Sequence, residues 1–247
     1  MKIKILTLFP NMFSGFVSES IIKRAIDSGV CEIETIDIRN YSKEKHHHVD
    51  DTPCGGGAGM VLKCDVVGDA IKANKTEKSH IIMMTPQGEK YSQKKALEFA
   101  KMEEIVILCG HYEGFDERIR TMVDEEISIG DFVLTGGEIP AMAIADSVIR
   151  LLDNAITKES WEDDSFSNGL LEYPQYTRPV EYDGMRVPDV LLGGNHKEMA
   201  RFKRKESLRR TYLKRPDLLV NFDFTKEDLI LLEEIKKEET KWKKREF

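Results

Sequence analysis

The sequence has few cysteines, and none of them has the spacing of a metal-ligand pair. Cysteine accounts for 4 of the 247 residues, at Cys31, Cys54, Cys64 and Cys109, with no C-x-x-C pair among them. This pattern argues against a disulfide framework and against a structural zinc site. We therefore expect four free thiols in a reducing compartment and no bound metal.

Long hydrophobic runs are also absent. No apolar segment approaches the roughly 20 residues that a membrane-spanning helix needs, and the first residues lead into a predicted strand and not into a signal peptide. The composition, 40% hydrophobic and 33% charged, is ordinary for a globular chain. We therefore expect a cytoplasmic protein without a membrane partner.

Positive charge is scarce in the chain as a whole but concentrated in one segment. The formal net charge of −7 argues against a protein that coats nucleic acid nonspecifically. Residues 197–215 nevertheless contain nine basic residues and only two acidic ones. An apolar stripe that includes Leu208 would let the basic side chains face outward together, toward a phosphate backbone. A merely solvated helix face is the commoner explanation of such a charge run.

Segments of strand and helix character alternate along the first part of the chain. Strands are predicted at residues 2–9, 32–38, 80–84, 105–109 and 129–134, and helices at 21–26, 92–102 and 140–152. This alternation predicts an α/β fold with a parallel sheet covered by helices. Residues 81–84 and 105–108 are continuously apolar, as expected of strands buried on both faces.

Three of these strands end in turn-prone residues, near Pro86, Gly110 and Leu134. Ligands in open parallel sheets bind beyond the carboxyl ends of the strands, so the three ends are expected to converge on one pocket. After the last strand, the paired glycines 136–137 would let backbone approach a ligand closely. Pro140 then suits the first turn of a helix.

The pattern changes after this helix. Residues 1–156 are predicted to form the first domain, residues 157–179 a flexible linker without an apolar face, and residues 180–247 a small helical domain. Two helices of the last domain have predicted capping boxes, Asn195 with Glu198 and Thr225 with Asp228. The first of these helices should stop before Pro216, and the second should end near Trp242.

Residues 54–60 are rich in glycine but lack the defining residues of a nucleotide-binding loop. A phosphate loop ends in Gly-Lys-Ser/Thr, whereas Met60 and Val61 follow the last glycine here. A dinucleotide fingerprint needs a glycine where Met60 stands. We interpret the segment as a flexible loop that closes over another group.

Several histidines are candidate site residues. His46, His47 and His48 resemble a metal cluster in composition only, because adjacent side chains diverge, and a surface loop is the simpler interpretation. His111, beside Glu113 at a strand end, is better placed for a pocket, although a hydrogen-bonded structural histidine explains it equally well.

Two further charged positions each have two interpretations. Arg150 lies near the end of the helix predicted at 140–152, where a cation either complements the helix dipole or stabilises negative charge in a pocket. Asp163 and Asp164 lie in the predicted linker, where plain solvation is the simplest explanation.

A series of short motifs follows one another in a fixed order along the chain. They are Phe9-Pro10, Val49 to Met60, Pro86-Gln87-Gly88, Cys109 to Arg118, Ser128 to Asp131, Gly136 to Glu138, Asp164-Ser165-Phe166, Tyr176 to Pro179 and Leu192 to His196. In sequence and spacing they closely resemble the bacterial tRNA (guanine-N1)-methyltransferases, a family of the trefoil-knotted SPOUT class. The resemblance covers almost the whole chain.

The resemblance implies a cofactor, a partner and a substrate. S-adenosylmethionine would bind in the knot, a feature that no periodicity predicts because threaded chains are nearly absent from folds in general. The implied cofactor-binding residues are Pro86, Gly110, Ile129, Gly130, Asp131, Phe132, Val133, Leu134 and Gly137. The protein would be a homodimer whose active site uses both subunits. Its substrate would be N1 of guanosine 37 in tRNA, just 3′ of the anticodon, where another guanosine precedes it.

Methylation of a guanine ring nitrogen has two chemical requirements. A base must remove the proton that makes the nitrogen a poor nucleophile, and a cation or donor must hold the charge that appears on the neighbouring carbonyl oxygen. The resemblance assigns the first role to Asp164, the second to Arg150, and a contact with the guanine edge to Glu113. The rival hypotheses are a SPOUT enzyme that modifies another RNA position and a noncatalytic RNA-binding factor.

Overall fold

The computed structural model describes residues 1–157, 161 and 163–243, with the side chains of 241–243 left out. The chain divides into two compact units, Met1–Lys158 and Glu159–Phe247. The predicted division into a first domain, a linker and a helical domain stays a prediction. Residues 158–160 and 162 of the predicted linker lie outside the described residues.

The first unit is built on a parallel sheet. Its strands are β1 (Lys2–Thr7), β2 (Glu32–Asp37), β5 (Ser79–Lys90), β6 (Glu104–Cys109) and β7 (Glu125–Ser128). They lie in the order β2-β1-β6-β5-β7, and every neighbouring pair is parallel. A separate antiparallel pair joins β3 (Asp50–Asp51) to β4 (Val61–Leu62). The predicted α/β fold with a parallel sheet is confirmed.

Helices cover both faces of this sheet. They are α1 (Ser14–Ser18), α2 (Ser20–Asp27), α3 (Cys64–Asn74), α4 (Gln93–Phe99) and α5 (Glu138–Ile149). Side chains alternate along each strand, so that Ile105 and Ile107 pack with α2, α4 and α5 whereas Val106 and Leu108 pack with α3. Two cores therefore explain why the predicted central strands are apolar at every position.

The prediction of a strand at 129–134 is wrong. β7 ends at Ser128, and the residues that follow form a loop. The Ser128 hydroxyl accepts a hydrogen bond from the Gly130 amide at 3.2 Å and donates one to the Gly130 carbonyl at 3.0 Å. These local bonds compete with strand pairing. As a result the apolar loop residues are exposed, Val133 by 82%.

The strand predicted at 80–84 is longer than expected. β5 continues to Lys90, with a shift in its register against β7 between Met84 and Glu89. A Cβ added at Gly88 would lie 2.4 Å from the backbone of Glu126. Glycine therefore lets the two backbones pass each other, and the turn-prone residues 85–88 form an irregularity within the strand and not its end.

The second unit contains helices α6 (Asp189–Leu192), α7 (His196–Lys214) and α8 (Lys226–Lys243), and a hairpin of β8 (Glu181–Tyr182) and β9 (Met185–Arg186). Its core contains Leu170, Leu208, Leu231, Leu232 and Ile235. None of the described helices has the length and apolar composition of a bilayer-crossing segment.

Both predicted capping pairs cap their helices, although among the described hydrogen bonds only the second pair is reciprocal. The side chain of Asn195 accepts a hydrogen bond from the Glu198 amide at 3.3 Å. Thr225 and Asp228 form a reciprocal capping box, in which each side chain accepts a bond from the other residue's amide, at 3.0 and 3.1 Å. α7 stops before Pro216, as predicted, and α8 is described to Lys243, one residue beyond the predicted end near Trp242.

The basic residues of α7 do not all face outward, contrary to expectation. Arg204 forms a two-pronged contact with the buried Asp228 of α8, at 2.7 and 2.9 Å. Hydrogen bonds from Arg204 hold the pKa of Asp228 below its usual range although burial opposes this. Three further basic residues, Arg201, Lys205 and Arg209, pair with Glu234, Glu238 and Glu239 of α8. Fewer basic side chains of α7 face solvent than predicted, because several of them pair with acidic residues of α8.

The Lys4→Met substitution is expected to lower the free energy of unfolding by about 3–5 kcal/mol. Lys4 and Glu104 form a buried ion pair, 8% and 7% exposed, with Nζ and Oε2 3.1 Å apart. Without the cation a buried carboxylate stays unpaired. Denaturant unfolding measures the loss. The control is Lys2→Met. Lys2 lies two residues before Lys4 on the same strand and forms more exposed ion pairs with Glu32 and Glu34, so this variant should lose much less stability.

The loss should depend on pH in a defined direction. Burial acts to raise the pKa of Glu104, but hydrogen bonds from Ser79, Lys4 and Thr76 outweigh it, and the pKa is lowered. A carboxyl whose pKa is lowered on folding contributes stability that disappears as the pH falls through the folded pKa. The difference between wild type and variant should therefore narrow below about pH 4. An equal difference at neutral and acidic pH would show that packing, not charge, was lost.

Candidate active site

A cavity of about 440 Å³ lies at the carboxyl edge of the sheet. It is lined by residues from the irregular part of β5 (83–87), from the turn after β6 (110–115) and from β7 with the loop that follows (127–130 and 132–137). Its size is within the usual range for small-molecule sites. The structure thus brings together the three segments predicted to converge, although the third reaches the cavity as a loop.

Eight of the nine residues predicted to bind the cofactor line this cavity. They are Pro86, Gly110, Ile129, Gly130, Phe132, Val133, Leu134 and Gly137. Asp131 does not line it, and its 92% exposed carboxylate pairs with Lys90 at 3.4 Å. Because residues 129–135 lie outside the sheet, their N–H and C=O groups are not used in a strand ladder, and those other than the Gly130 groups that bond Ser128 can bond a ligand. The binding role of these residues stays a prediction.

The paired glycines bring two parts of the chain itself together. The Gly137 amide donates to the Gly110 carbonyl at 2.9 Å. A Cβ at Gly137 would lie 2.7 Å from Cα of Cys109, and one at Gly136 would lie 2.2 Å from Nε2 of His111. The sequence predicted a close approach of backbone to ligand, whereas the structure shows a close approach of the loop to the end of β6.

A buried carboxylate fixes this junction. Glu138, in the first turn of α5, is 1% exposed and accepts a hydrogen bond from the Thr7 hydroxyl at 2.7 Å. Its other oxygen lies 3.0 Å from Nε2 of His111, whose ring packs on Phe9 with centroids 4.6 Å apart. His111 therefore lines the cavity and is also held as a structural histidine. The helix dipole favours a negative charge at this position.

The turn at 111–114 carries the polar rim of the cavity. The Gly114 amide closes it by donating to the carbonyl of residue 111 at 3.0 Å, and Tyr112 adopts a φ of 58°, which is uncommon for a residue with a side chain. Tyr112 and Glu113 are consequently exposed at the cavity. Beyond the turn, hydrogen bonds from Arg118 lower the pKa of Asp116 to about 2, so this residue is a structural anion at neutral pH.

Neither of the two residues with predicted catalytic roles is among the described residues that line the cavity. Arg150 follows the last residue of α5, whereas Pro140, in the first turn of that helix, borders the cavity. A helix of 12 residues is roughly 18 Å long, and among the described residues Arg150 is not part of the cavity wall. Asp164 belongs to the second unit, where its amide donates to the Trp161 carbonyl at 3.2 Å and its carbonyl accepts from the Ser167 amide at 3.1 Å.

Comparison with known proteins adds a decisive observation. Residues 1–221 match the family model described as tRNA (Guanine-1)-methyltransferase TrmD. The chain belongs to this methyltransferase family. The resemblance noted in the sequence is therefore confirmed, and it extends across both units.

Individual members of the tRNA (guanine-1)-methyltransferase family are similar to this chain over nearly their whole length. A tRNA (guanine-N(1)-)-methyltransferase of Fusobacterium nucleatum is 57% identical over 97% of this chain and 100% of its own. The protein of that name from Geobacillus kaustophilus is 55% identical, over 96% and 99%. The one from Bacillus pumilus is 58% identical, over 89% and 92%.

Sequence reasoning missed part of what holds the cavity edge of this family member together. Thr7 was not identified, and Glu138 was noted only as the last residue of the Gly136 to Glu138 motif, without a role as the buried carboxylate that Thr7 bonds. The three adjacent histidines are exposed, as predicted for a surface loop. Within the described part of the chain, no cluster of three or more His, Cys, Asp or Glu is arranged to hold a metal ion.

Proposed function

We propose that the protein transfers a methyl group from S-adenosylmethionine to N1 of guanosine 37 in tRNA, 3′ of the anticodon and after another guanosine. The observation that carries this proposal is the cavity at the carboxyl edge of the sheet, lined in part by the loop that follows β7, in a chain of the tRNA (guanine-1)-methyltransferase family. Relatives with more than half of their residues identical are named tRNA (guanine-N(1)-)-methyltransferase, which supports the tRNA substrate and the modified guanine nitrogen of this proposal.

The residues present fit S-adenosylmethionine. The apolar side chains of Pro86, Ile129 and Leu134 would contact its flat adenine, and the backbone between them would bond its polar edges. When bound, the cofactor supplies an electrophilic methyl group on a positively charged sulfur. The junction of Gly137 with Gly110, where the loop after β7 lies against the end of β6, supports the proposed SPOUT knot.

In the proposed mechanism three side chains act on the guanine. Asp164 removes the proton from N1, which turns the ring nitrogen into a nucleophile, and Arg150 holds the negative charge that appears on the neighbouring carbonyl oxygen. Glu113 contacts the guanine edge from the exposed rim of the cavity. General-base action of this kind contributes about 10²- to 10⁴-fold to a rate.

A homodimer is part of the same proposal. Apolar side chains surround the cavity on the surface of the chain, among them Phe9, Tyr112, Phe132, Val133 and Ile139, which are 37–82% exposed. Exposed apolar patches of this kind mark interaction sites. Since Arg150 lies a helix length from the cavity wall of its own chain, a second copy that uses these patches would supply the missing groups. We propose that this dimer works in the cytoplasm.

The second unit would hold the tRNA. Among the described residues, Lys197, Arg210 and Lys214 of α7 take part in no ion pair, unlike the neighbours that pair with α8. These three cations are available for phosphate oxygens, and a small set of contacts predicts a modest dependence of affinity on salt.

Methyl transfer to tRNA transcripts tests the proposal. Labelled S-adenosylmethionine should label a transcript with guanosines at positions 36 and 37, and transcripts that differ only at either base should take up little or no label. Incorporation that ignores these bases would support a SPOUT enzyme for another RNA position. Tight tRNA binding without incorporation into any transcript would support a noncatalytic RNA-binding factor.

A further inference from the structure

The glycine-rich segment 54–60, which matches neither common nucleotide-binding pattern, is fixed to the wall of the cavity. It connects β3 to β4. The Glu113 amide donates to the Met60 carbonyl at 3.0 Å, and the Leu62 amide donates to the Gly114 carbonyl at 2.9 Å. The end of the glycine segment therefore lies directly beside the turn that carries the polar rim of the site.

The glycines of this segment differ in their surroundings. Gly55, Gly56, Gly57 and Gly59 all have positive φ, between 85° and 129°, which glycine adopts readily and other residues do not. A Cβ added at any of the first three would meet nothing within 4 Å. At Gly59 it would lie 2.2 Å from Oε1 and 2.6 Å from Cγ of Glu113. Position 59 thus favours glycine for a second reason, because the Glu113 side chain occupies the space that a side chain at position 59 would need.

We propose that Gly59 is a positioning residue for the Glu113 carboxylate. The closed turn at 111–114 fixes the backbone of Glu113. Because Gly59 has no side chain, the Glu113 side chain can lie against it. An added methyl group would force Glu113 into a different rotamer and move its carboxylate. This inference rests on the proposed function, in which Glu113 contacts the guanine edge. A displacement of about 1 Å in such a contact can lower a rate by up to roughly 10²-fold.

The matched pair Gly59→Ala and Gly56→Ala tests the inference. The two glycines have φ of 86° and 85°, so alanine strains the backbone equally, but only Gly59 faces Glu113. We expect equal thermal stability and equal affinity for S-adenosylmethionine. For tRNA methylation, kcat/KM of Gly59→Ala should fall about 10- to 100-fold below that of Gly56→Ala. Equal kcat/KM values in the two variants would overturn the inference.

A Glu113→Ala background separates positioning from other effects. With the Glu113 side chain removed, the three atoms nearest to the methyl group of an alanine at position 59 are gone, so Gly59→Ala should reduce single-turnover methylation no more than Gly56→Ala does. If the additional loss persists in this background, Gly59 acts through strain or through its own contact with RNA, and the inference is wrong.

Crystal structures give a result that does not depend on activity. The Glu113 carboxylate should move in Gly59→Ala and keep its position in Gly56→Ala, whether or not the protein methylates tRNA. An unmoved carboxylate would overturn the positioning role. A moved carboxylate in a protein that methylates no tRNA transcript would retain that role while rejecting the proposed function.

Discussion

The Asp164→Asn variant is expected to methylate tRNA about 10²- to 10⁴-fold more slowly than the wild type while binding S-adenosylmethionine with nearly the same affinity. Asparagine has almost the size of aspartate and can keep its hydrogen bonds, but its amide does not accept a proton at neutral pH. A general base should therefore lose its function without a change in the fold. Single-turnover methyl transfer and calorimetric titration with the cofactor measure the two quantities.

Asp163→Asn provides the matched control. Asp163 is the exposed neighbour in the same turn, and its only described contact is a 3.4 Å hydrogen bond from the Tyr173 hydroxyl. The same chemical change there should leave methyl transfer nearly intact. If Asp164→Asn instead weakens cofactor binding severely, Asp164 builds the pocket. If neither variant slows methyl transfer, simple solvation explains both aspartates.

The layout of the sheet could be predicted because local and tertiary preferences agree along most strands. Residues 105–108 are apolar at every position, and the strand is indeed buried between two cores. The strand predicted at 129–134 failed for the opposite reason. Phe132, Val133 and Leu134 have strong strand preference, but the Ser128 hydroxyl closes a turn on Gly130 before pairing can continue.

The position of the candidate site could be predicted from the sequence, but the contacts that hold its residues in place could not. The ends of parallel strands must meet at one edge, so glycines and turn residues after three strands indicated the cavity. The contacts that shape this edge join residues far apart in sequence. Glu138 meets Thr7 across 131 positions, and Gly59 faces Glu113 across 54 positions. No spacing rule encodes such pairs, because they depend on how the finished sheet places its loops.

The basic residues of α7 show the same limit, because their partners could not be predicted from the sequence. The basic run was visible in the sequence, but the acidic residues that neutralise Arg204 and Lys205, and two of the three that pair with Arg209, belong to another helix. Helix α8 lies beside α7 because the two helices share a core that includes Leu208 and Leu231. A count of charges along one helix therefore overestimates the cations that are available to a phosphate backbone.

Arg150→Gln is expected to lower kcat for tRNA methylation by about 10²- to 10³-fold, the effect of removing a preorganised donor from a developing oxyanion. The alternative is that Arg150 only complements the dipole of α5, which it follows directly. In that case the variant would lose about 0.3–1 kcal/mol of stability and keep its kcat. Steady-state methylation and denaturant unfolding, measured on the same preparation, distinguish the two roles.

Two further variants sharpen this test. Arg24 is an exposed cation in the last turn of α2, so Arg24→Gln reproduces the change in helix electrostatics away from the cavity and should leave kcat unchanged. Arg150→Lys keeps the positive charge but loses the planar pair of donors, and it should recover only part of the lost rate. Full activity in Arg150→Gln would reject the charge-stabilising role. It would also leave the proposed mechanism without a group to hold the charge on the guanine oxygen.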